Sequence, residues 1–512
     1  MFDLNERASG VLLHPTSLPG PHGNGDLGGE ARRFADQLAR AGQRWWQMLP
    51  VGPPGIGNSP YSARSAFAGS PLLIDLDALA GRGMLRELPA ARFPRGRVDY
   101  PAAESFRAGI LERAFESFAR RRRPAAFDAF CDRAASWLPD FALFSAIKDA
   151  AGGAAWSEWE PGLRLREPAS LRRARGELRD RIELHRFQQW IFDEQWRGLK
   201  RHCNGLGVGL IGDLPIFVAL DSADVWAHRE LFELDESGAP KVIAGVPPDF
   251  FSRTGQRWGN PHYRWAVLRR QGYRWWMDRF QAELSRFDAV RLDHFIGFWR
   301  TWHVPARAPT AERGRWVPGP RDDLFRKLLR KRGTLPLIVE DLGLVTPEVR
   351  ALRDRLRLPG MKLLQFAFGS DLQAHEFRPH NYPRRAAAYT GTHDNDTIVG
   401  WFFDRGGRGS QRTAAQAETE RRIALAYLGA DDASEIHWKM IRLLFESVAN
   451  LAVVPMQDLL GLGSEARMNL PGTVEGNWEW RLADGAFTPR VSDRLAEITE
   501  LYERRPAKEA RA

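Results

Sequence analysis

AVRLDHF, residues 289–295, passes from apolar to charged within a few positions. In an extended strand Arg291 and Asp293 point to one face and Leu292 to the other. Two later stretches share the form. LIVEDLG (337–343) and AAAYTGTHD (386–394) are apolar runs that end in carboxylates, Glu340 and Asp394, and then turn polar or Gly-rich. A carboxylate at the end of an apolar strand is costly to bury unless it is paired or used. The three carboxylates lie 47 and 54 residues apart, which fits successive or near-successive strand–helix units of one parallel barrel. In such barrels the strand C-termini converge on the active site.

Working outward, the spacing predicts eight strands. The other five are GVLLHPT (10–16), RWWQMLPVG (44–52), GVGLIGDLPI (207–216), MKLLQFAFG (361–369) and LAVVPMQDLL (451–460). Helical patterns such as FADQLARAG, RWWMDRFQAEL, DLFRKLLRKRG and TPEVRALRDRL fall in four of the gaps. Alternating strand and helix implies a parallel sheet, and eight units imply an α/β fold, a closed (β/α)8 TIM barrel. The whole chain, 1–512, reads as one catalytic barrel with unequal loops. Residues 58–200, between the second and third strands, read as an inserted helical subdomain. Residues 217–275 read as a second insertion, with Pro- and Gly-rich GVPPDFFSRTGQRWGNP (245–261) as a shaped active-site lid. Residues 461–512 leave no room for a C-terminal β-sandwich domain.

The chain has 512 residues, 43% hydrophobic and 11% aromatic, enough for a large core. No apolar run reaches the ~18 residues of a membrane span. The N-terminus lacks the apolar core of a signal peptide. Two cysteines, Cys131 and Cys203, exclude a disulfide framework and cysteine-based zinc, and a cytoplasmic location is expected. The net charge of +10 raises nucleic acid as a partner. The excess is mostly Arg, however, on helical stretches such as RRRR (120–123) and the mixed-sign ASLRRARGELRDR (169–181), which read as solvated surface. GPPGIGNSP (52–60) lacks the Lys of a phosphate loop. No nucleotide, metal or other cofactor is implied.

Paired carboxylates at a barrel mouth suit glycoside chemistry. Arg291 beside Asp293 keeps it ionised and oriented, as a nucleophile requires. A structural ion pair is the other reading. Glu340 among apolar walls gains a raised pKa and serves as a general acid. A capping carboxylate is the alternative there, since Asp341 is adjacent. Asp394 is placed to stabilise positive charge at the anomeric carbon. His294 and His393 suit sugar hydroxyls or a structural role, and Asp213 adds a carboxylate to the mouth. Tyr61, Phe251, Trp258 and Trp401 offer rings for pyranose faces near strand ends.

Taken together, these segments resemble the 4-α-glucanotransferases of glycoside hydrolase family 77, in the α-amylase clan. The resemblance rests on LLHPTSLPGPHGNGDLG (12–28), NSPYSARSAFAGSPLLIDLD (58–77), GDLPIFVALDSADVWA (212–227), residues 245–261, AVRLDHFIGFWRTW (289–302), VEDLG, LPGMKLLQFAFG (358–369), THDNDT (392–397) and RMNLPGT (467–473). It implies Asp293 as nucleophile, Glu340 as acid/base and Asp394 as transition-state stabiliser, with Arg291 orienting Asp293. It further implies Asp213, His294, His393 and Tyr61 on the donor glucose. Asp249, Phe251, Gln256 and Trp258 would form the lid over the acceptor, with Arg467 and Asn469 near the cleft. The implied partners are α-1,4-glucans, maltooligosaccharides and glucose. One position departs: Ile56 stands where the family often carries Tyr at a remote glucan-contacting groove. An amylase-type hydrolase, a metal-dependent barrel hydrolase and a non-catalytic glucan binder are the competing classes. The lid, the lone His14 at the first strand and the intact carboxylates argue against each in turn.

Overall fold

The computed structural model describes residues 2–248, 254–369, 373–406, 410 and 412–505. Among these are twelve strands: β1 (Ala8–Leu12), β2 (Trp45–Gln47), β3 (Gly209–Leu214), β4 (Val242–Val246), β5 (Gln256–Pro261), β6 (Ala289–Leu292), β7 (Arg300–Pro305), β8 (Arg315–Pro318), β9 (Leu337–Val339), β10 (Gly360–Leu363), β11 (Ala386–Tyr389) and β12 (Leu451–Pro455). Eight close into a parallel barrel in the order β1-β12-β11-β10-β9-β6-β3-β2. Each of the eight predicted runs contributes one barrel strand.

The period-2 alternation of each barrel strand sorts its residues into two cores. Leu12, Trp45, Ile211, Ala289, Ile338, Met361, Ala387, Tyr389 and Val453 form one cluster, inside the barrel. Their neighbours Val11, Trp46, Leu210, Val290, Val339, Ala388 and Val454 join the larger cluster with the surrounding helices. Trp45 fills much of the interior. A methyl at Gly10 would sit 2.5 Å from the Trp45 carbonyl oxygen, so only glycine admits this approach.

The segment between β2 and β3 is largely helical, and its last helix, Arg179–Gly205, leads into β3. Trp196 on that helix packs edge-on against Phe287, 5.1 Å between ring centroids. The second insertion differs from a simple loop. β4 and β5 pair antiparallel and join β7 and β8 in a four-stranded sheet, order β5-β4-β7-β8. Within the predicted lid 245–261, residues 245–246 end β4 and Gln256–Pro261 form β5, and Asp249 and Phe251 lie outside the described residues. β7 and β8 were not expected. Their Arg, Thr, Trp and His alternate without an apolar run, because one face stays near solvent. Among the described residues, no helix is long and apolar enough to cross a membrane.

Candidate active site

Asp213 in β3 and Arg291 in β6 are register partners on adjacent strands. Both share the parity of Ile211 and Ala289, so both side chains face the barrel interior. Arg291 Nη1 donates to both Asp213 oxygens at 2.8 Å and to Asp293 Oδ1 at 3.0 Å. Its Nε faces Met361 Sδ at 3.3 Å. Burial lowers the Arg291 pKa and the two carboxylates raise it further, so the guanidinium stays charged. One buried cation thus joins a buried carboxylate to one whose side chain is 25% exposed at the mouth.

β6 ends at Leu292, and the chain turns sharply through Asp293 and His294. His294 adopts a left-handed backbone, φ 48°, uncommon for a residue with a Cβ. That turn aims the His294 N–H at Glu340 Oε2, 2.7 Å away, while Leu342 N–H reaches Oε1 at 3.1 Å. The backbone is pinned as well. Glu340 N donates to Leu292 O and Phe295 N to Glu340 O, each 3.0 Å. Burial pushes the Glu340 carboxyl up to about 8, with Arg291 opposing and Asp293 reinforcing. Its neighbour Asp341 points elsewhere, accepting from Arg353 Nη1 at 2.6 Å and Met361 N at 2.8 Å. The two adjacent carboxylates are thus separated into one that faces the cleft and one that ties β9 to β10.

Asp394 lies in the loop after β11 rather than at the strand end. Arg467 donates to its carbonyl and Asn469 Nδ2 to its Oδ1, both at 2.6 Å, and His393 Nε2 is 3.4 Å from Oδ2. Burial raises this carboxyl, but the His393 ring, Asn469 and Arg291 outweigh it and hold it well below the usual range. Tyr61 closes the floor. Its hydroxyl donates to Asp213 Oδ2 at 2.7 Å, and its ring stacks on His393 with centroids 4.9 Å apart. Burial lowers the His294 pKa to about 4, leaving a neutral ring. Trp258 packs edge-on against that ring, centroids 4.9 Å apart, and remains 37% exposed.

These residues line one cleft of about 640 Å3. The cleft brings together Tyr61, Gln256, Trp258, Arg291, Asp293, His294, Glu340, His393, Asp394 and Asn469, with Asp213 buried beneath. The arrangement offers a carboxylate oriented by Arg291, a protonated one and a third held ionised, walled by rings and hydroxyl partners. A family model described as 4-alpha-glucanotransferase matches residues 13–487. The chain belongs to this family, glycoside hydrolase family 77. A 4-alpha-glucanotransferase of Thermus thermophilus is 51% identical over 506 residues, covering 97% of this chain and 99% of that protein. One from Synechocystis sp. is 47% identical over 511 residues, covering 98% and 99%. The structure of amylomaltase from Streptococcus agalactiae in complex with acarbose matches with a TM-score of 0.92 at 37% identity, covering 98% of this chain and 100% of that one.

As in the sequence reading, the carboxylates gather at the C-terminal mouth of the glucanotransferase barrel. Three placements differ from it. Trp401 is buried against Phe368, centroids 5.6 Å apart, and borders a neighbouring hollow instead of the cleft. Arg467 borders that hollow too and reaches the cleft only through Asp394 and Asn469. Ile56 is 77% exposed on the cleft rim, not in a remote groove, and it is the next residue, Gly57, that approaches Val474. Sequence reasoning also missed Trp478, whose ring lies 5.8 Å from Tyr61 and 5.7 Å from His393. Its signal was an aromatic closing the Gly-rich turn that follows RMNLPGT.

Proposed function

We propose that this 4-alpha-glucanotransferase moves a segment of an α-1,4-glucan to the 4-hydroxyl of a second glucan or of glucose by double displacement. An Asp293 oxygen attacks the anomeric carbon while Glu340 gives its proton to the departing glycosidic oxygen, releasing the reducing-end fragment. A β-linked glycosyl-enzyme forms. Glu340, now ionised, takes the proton of the incoming 4-hydroxyl, whose oxygen displaces Asp293 and remakes the α link with net retention. Asp394 faces the positive charge that develops at the ring. Arg291 orients Asp293. Tyr61, Asp213, His294 and His393 serve the donor glucose, and Gln256 and Trp258 the acceptor. Asp249 and Phe251 are assigned to the same lid on sequence alone. The inserted segments 58–200 and 217–275 are read as the loops that shape these two sides. Transfer exceeds hydrolysis where the acceptor is positioned and water is kept out.

The observation that carries the proposal is the Arg291-centred trio, which orients Asp293 beside a Glu340 whose pKa is raised to about 8. Incubation with maltotriose tests it. Glucose and a ladder of longer maltooligosaccharides are expected, with almost no net gain in reducing ends. Reducing ends rising in step with glucose would mark a hydrolase.

A further inference from the structure

The loop that carries His393 and Asp394 leaves β11 at Thr390 and enters the helix Ile398–Phe403. Both ends of this loop meet on one side chain. Thr390 Oγ1 donates to Asp458 Oδ2 at 2.6 Å, and Ile398 N–H donates to Oδ1 at 2.7 Å. Asp458 sits in the short helix Met456–Leu459 after β12 and is 1% exposed. Among the described residues no Lys, Arg or His is ion-paired with it. Burial pushes its carboxyl up to about 7, against the bonds from Thr390 and Ile398.

A carboxylate buried without a cation is an expensive way to fill space. An apolar side chain of similar volume would suit a position that only packs. What the carboxylate adds is two acceptor oxygens in one rigid plane, one for each end of the loop. Gln365 N–H also donates to Thr390 O at 3.3 Å, and further restraints act between these ends. Asn395 Oδ1 accepts from Thr392 N and Oγ1 at 2.9 Å each, and Gln365 Nε2 donates to Asp396 O at 2.7 Å. Arg467 and Asn469 hold Asp394 itself. Asp458 does not line the cleft, so it acts on sugar only through the loop.

We propose that Asp458 is a positioning residue for glucan transfer: by tying Thr390 to Ile398 it fixes where the loop presents Asp394 to the reacting sugar. The inference rests on the role given above to Asp394. A carboxylate that faces charge developing at the anomeric carbon acts in the transition state, so its displacement is felt in kcat more than in KM.

The test uses the full chain with maltotriose, each variant assayed well below its own melting midpoint. Asp458→Ala is expected to lose on the order of 100-fold in kcat, the scale of a small misplacement, with KM nearly unchanged. Asp458→Asn keeps one acceptor for Ile398 and offers its NH2 group to Thr390 Oγ1, so most of the loss should be recovered. Thr390→Val removes one end of the clamp at constant shape and is expected to fall between the two in kcat. A folded Asp458→Ala or Thr390→Val protein with wild-type kcat overturns the proposal, and so does a loss carried by KM alone. If Asp458→Ala does not fold, Thr390→Val decides on the same terms. Asp394→Asn is run alongside. Full activity there overturns the role of Asp394 itself, whereas an inactive Asp394→Asn with unaffected clamp variants overturns only the inference about Asp458.

Discussion

Glu340 is held by two backbone N–H groups that favour its ionised form, yet burial prevails and its carboxyl titrates near 8. Its ordinary value is 4.5. Between these values the folded chain keeps a proton that the unfolded chain has released, so stability falls as pH rises from about 4.5 through about 8. Glu340→Gln cannot titrate and is expected to flatten that part of the melting-midpoint profile. The slope is the quantity to compare. Gln has one carbonyl oxygen for two N–H donors and therefore starts lower at acid pH, by about 1–3 kcal/mol for the orphaned donor, a deficit that shrinks as the wild type loses stability with rising pH. An unchanged slope would sink the assignment of the shifted group. The wild-type rate on maltotriose is expected to fall above about pH 8, where the proton donor is lost. Glu340→Gln should be nearly inactive on maltotriose yet still cleave a glycosyl fluoride, whose leaving group needs no acid. Failure on both donors would mean that Glu340 does more than transfer a proton.

Trp258 illustrates what an element contributes beyond its residues. It stands on β5, its Nε1 donates to Gln256 Oε1 at 3.1 Å, and its ring bears on His294, the residue after Asp293. Its exposed part is free to meet an acceptor sugar. Trp258→Ala leaves Asp293 and Glu340 in place, so cleavage should persist while the hydrolysis-to-transfer ratio and acceptor KM rise, by the equivalent of about 1–3 kcal/mol. Equal loss of both activities together with a lowered melting midpoint would show that the ring only packs. Barrel strands were legible because each is an apolar run closed by a turn signal, and the carboxylates were legible because each interrupts or closely follows such a run. The β4–β5–β7–β8 sheet was not. It lies outside the barrel: β5, β7 and β8 spell no apolar run, and the short apolar run of β4 leads straight into Pro247 and Pro248. Trp401 was misread because a ring after a strand end carries no sign of whether it faces cleft or core. Asp458 was invisible for another reason. Its partners Thr390 and Ile398 are 68 and 60 residues away, and only closure of the barrel brings them together.

Closure itself depends on joining the first barrel strand to the last, β1 to β12. The C-terminal segment does part of this from the end opposite the cleft. Arg504 is fully buried and donates to the carbonyls of Ala8, Phe445, Ser447, Ala449 and Asn450 at 2.9–3.2 Å. Ala8 opens β1 and Asn450 precedes β12, so one guanidinium spans the seam. Arg7 adds bonds to Phe445, Ser447 and Tyr502, each 2.8 Å. The charge is met by carbonyl dipoles; burial lowers the Arg504 pKa to about 9, still charged at neutral pH. Arg504→Met would keep much of the volume and remove a donor from five carbonyls, of which Phe445 and Ser447 keep Arg7 and Asn450 keeps the Ala8 N–H. It is expected to destabilise the chain by at least about 3 kcal/mol, since each buried acceptor left unpaired costs about 1–3 kcal/mol and some regain water. Arg504→Lys, with three donors on a flexible stem, should recover only part. The bottom of a barrel carries stability and the top carries chemistry. The folded fraction of Arg504→Met should therefore keep the wild-type kcat and the same maltotriose product ladder. Denaturation midpoints measured beside that ladder decide the matter. An unmoved midpoint would remove Arg504 from the seam, and an altered ladder would show that the two ends of the barrel are coupled.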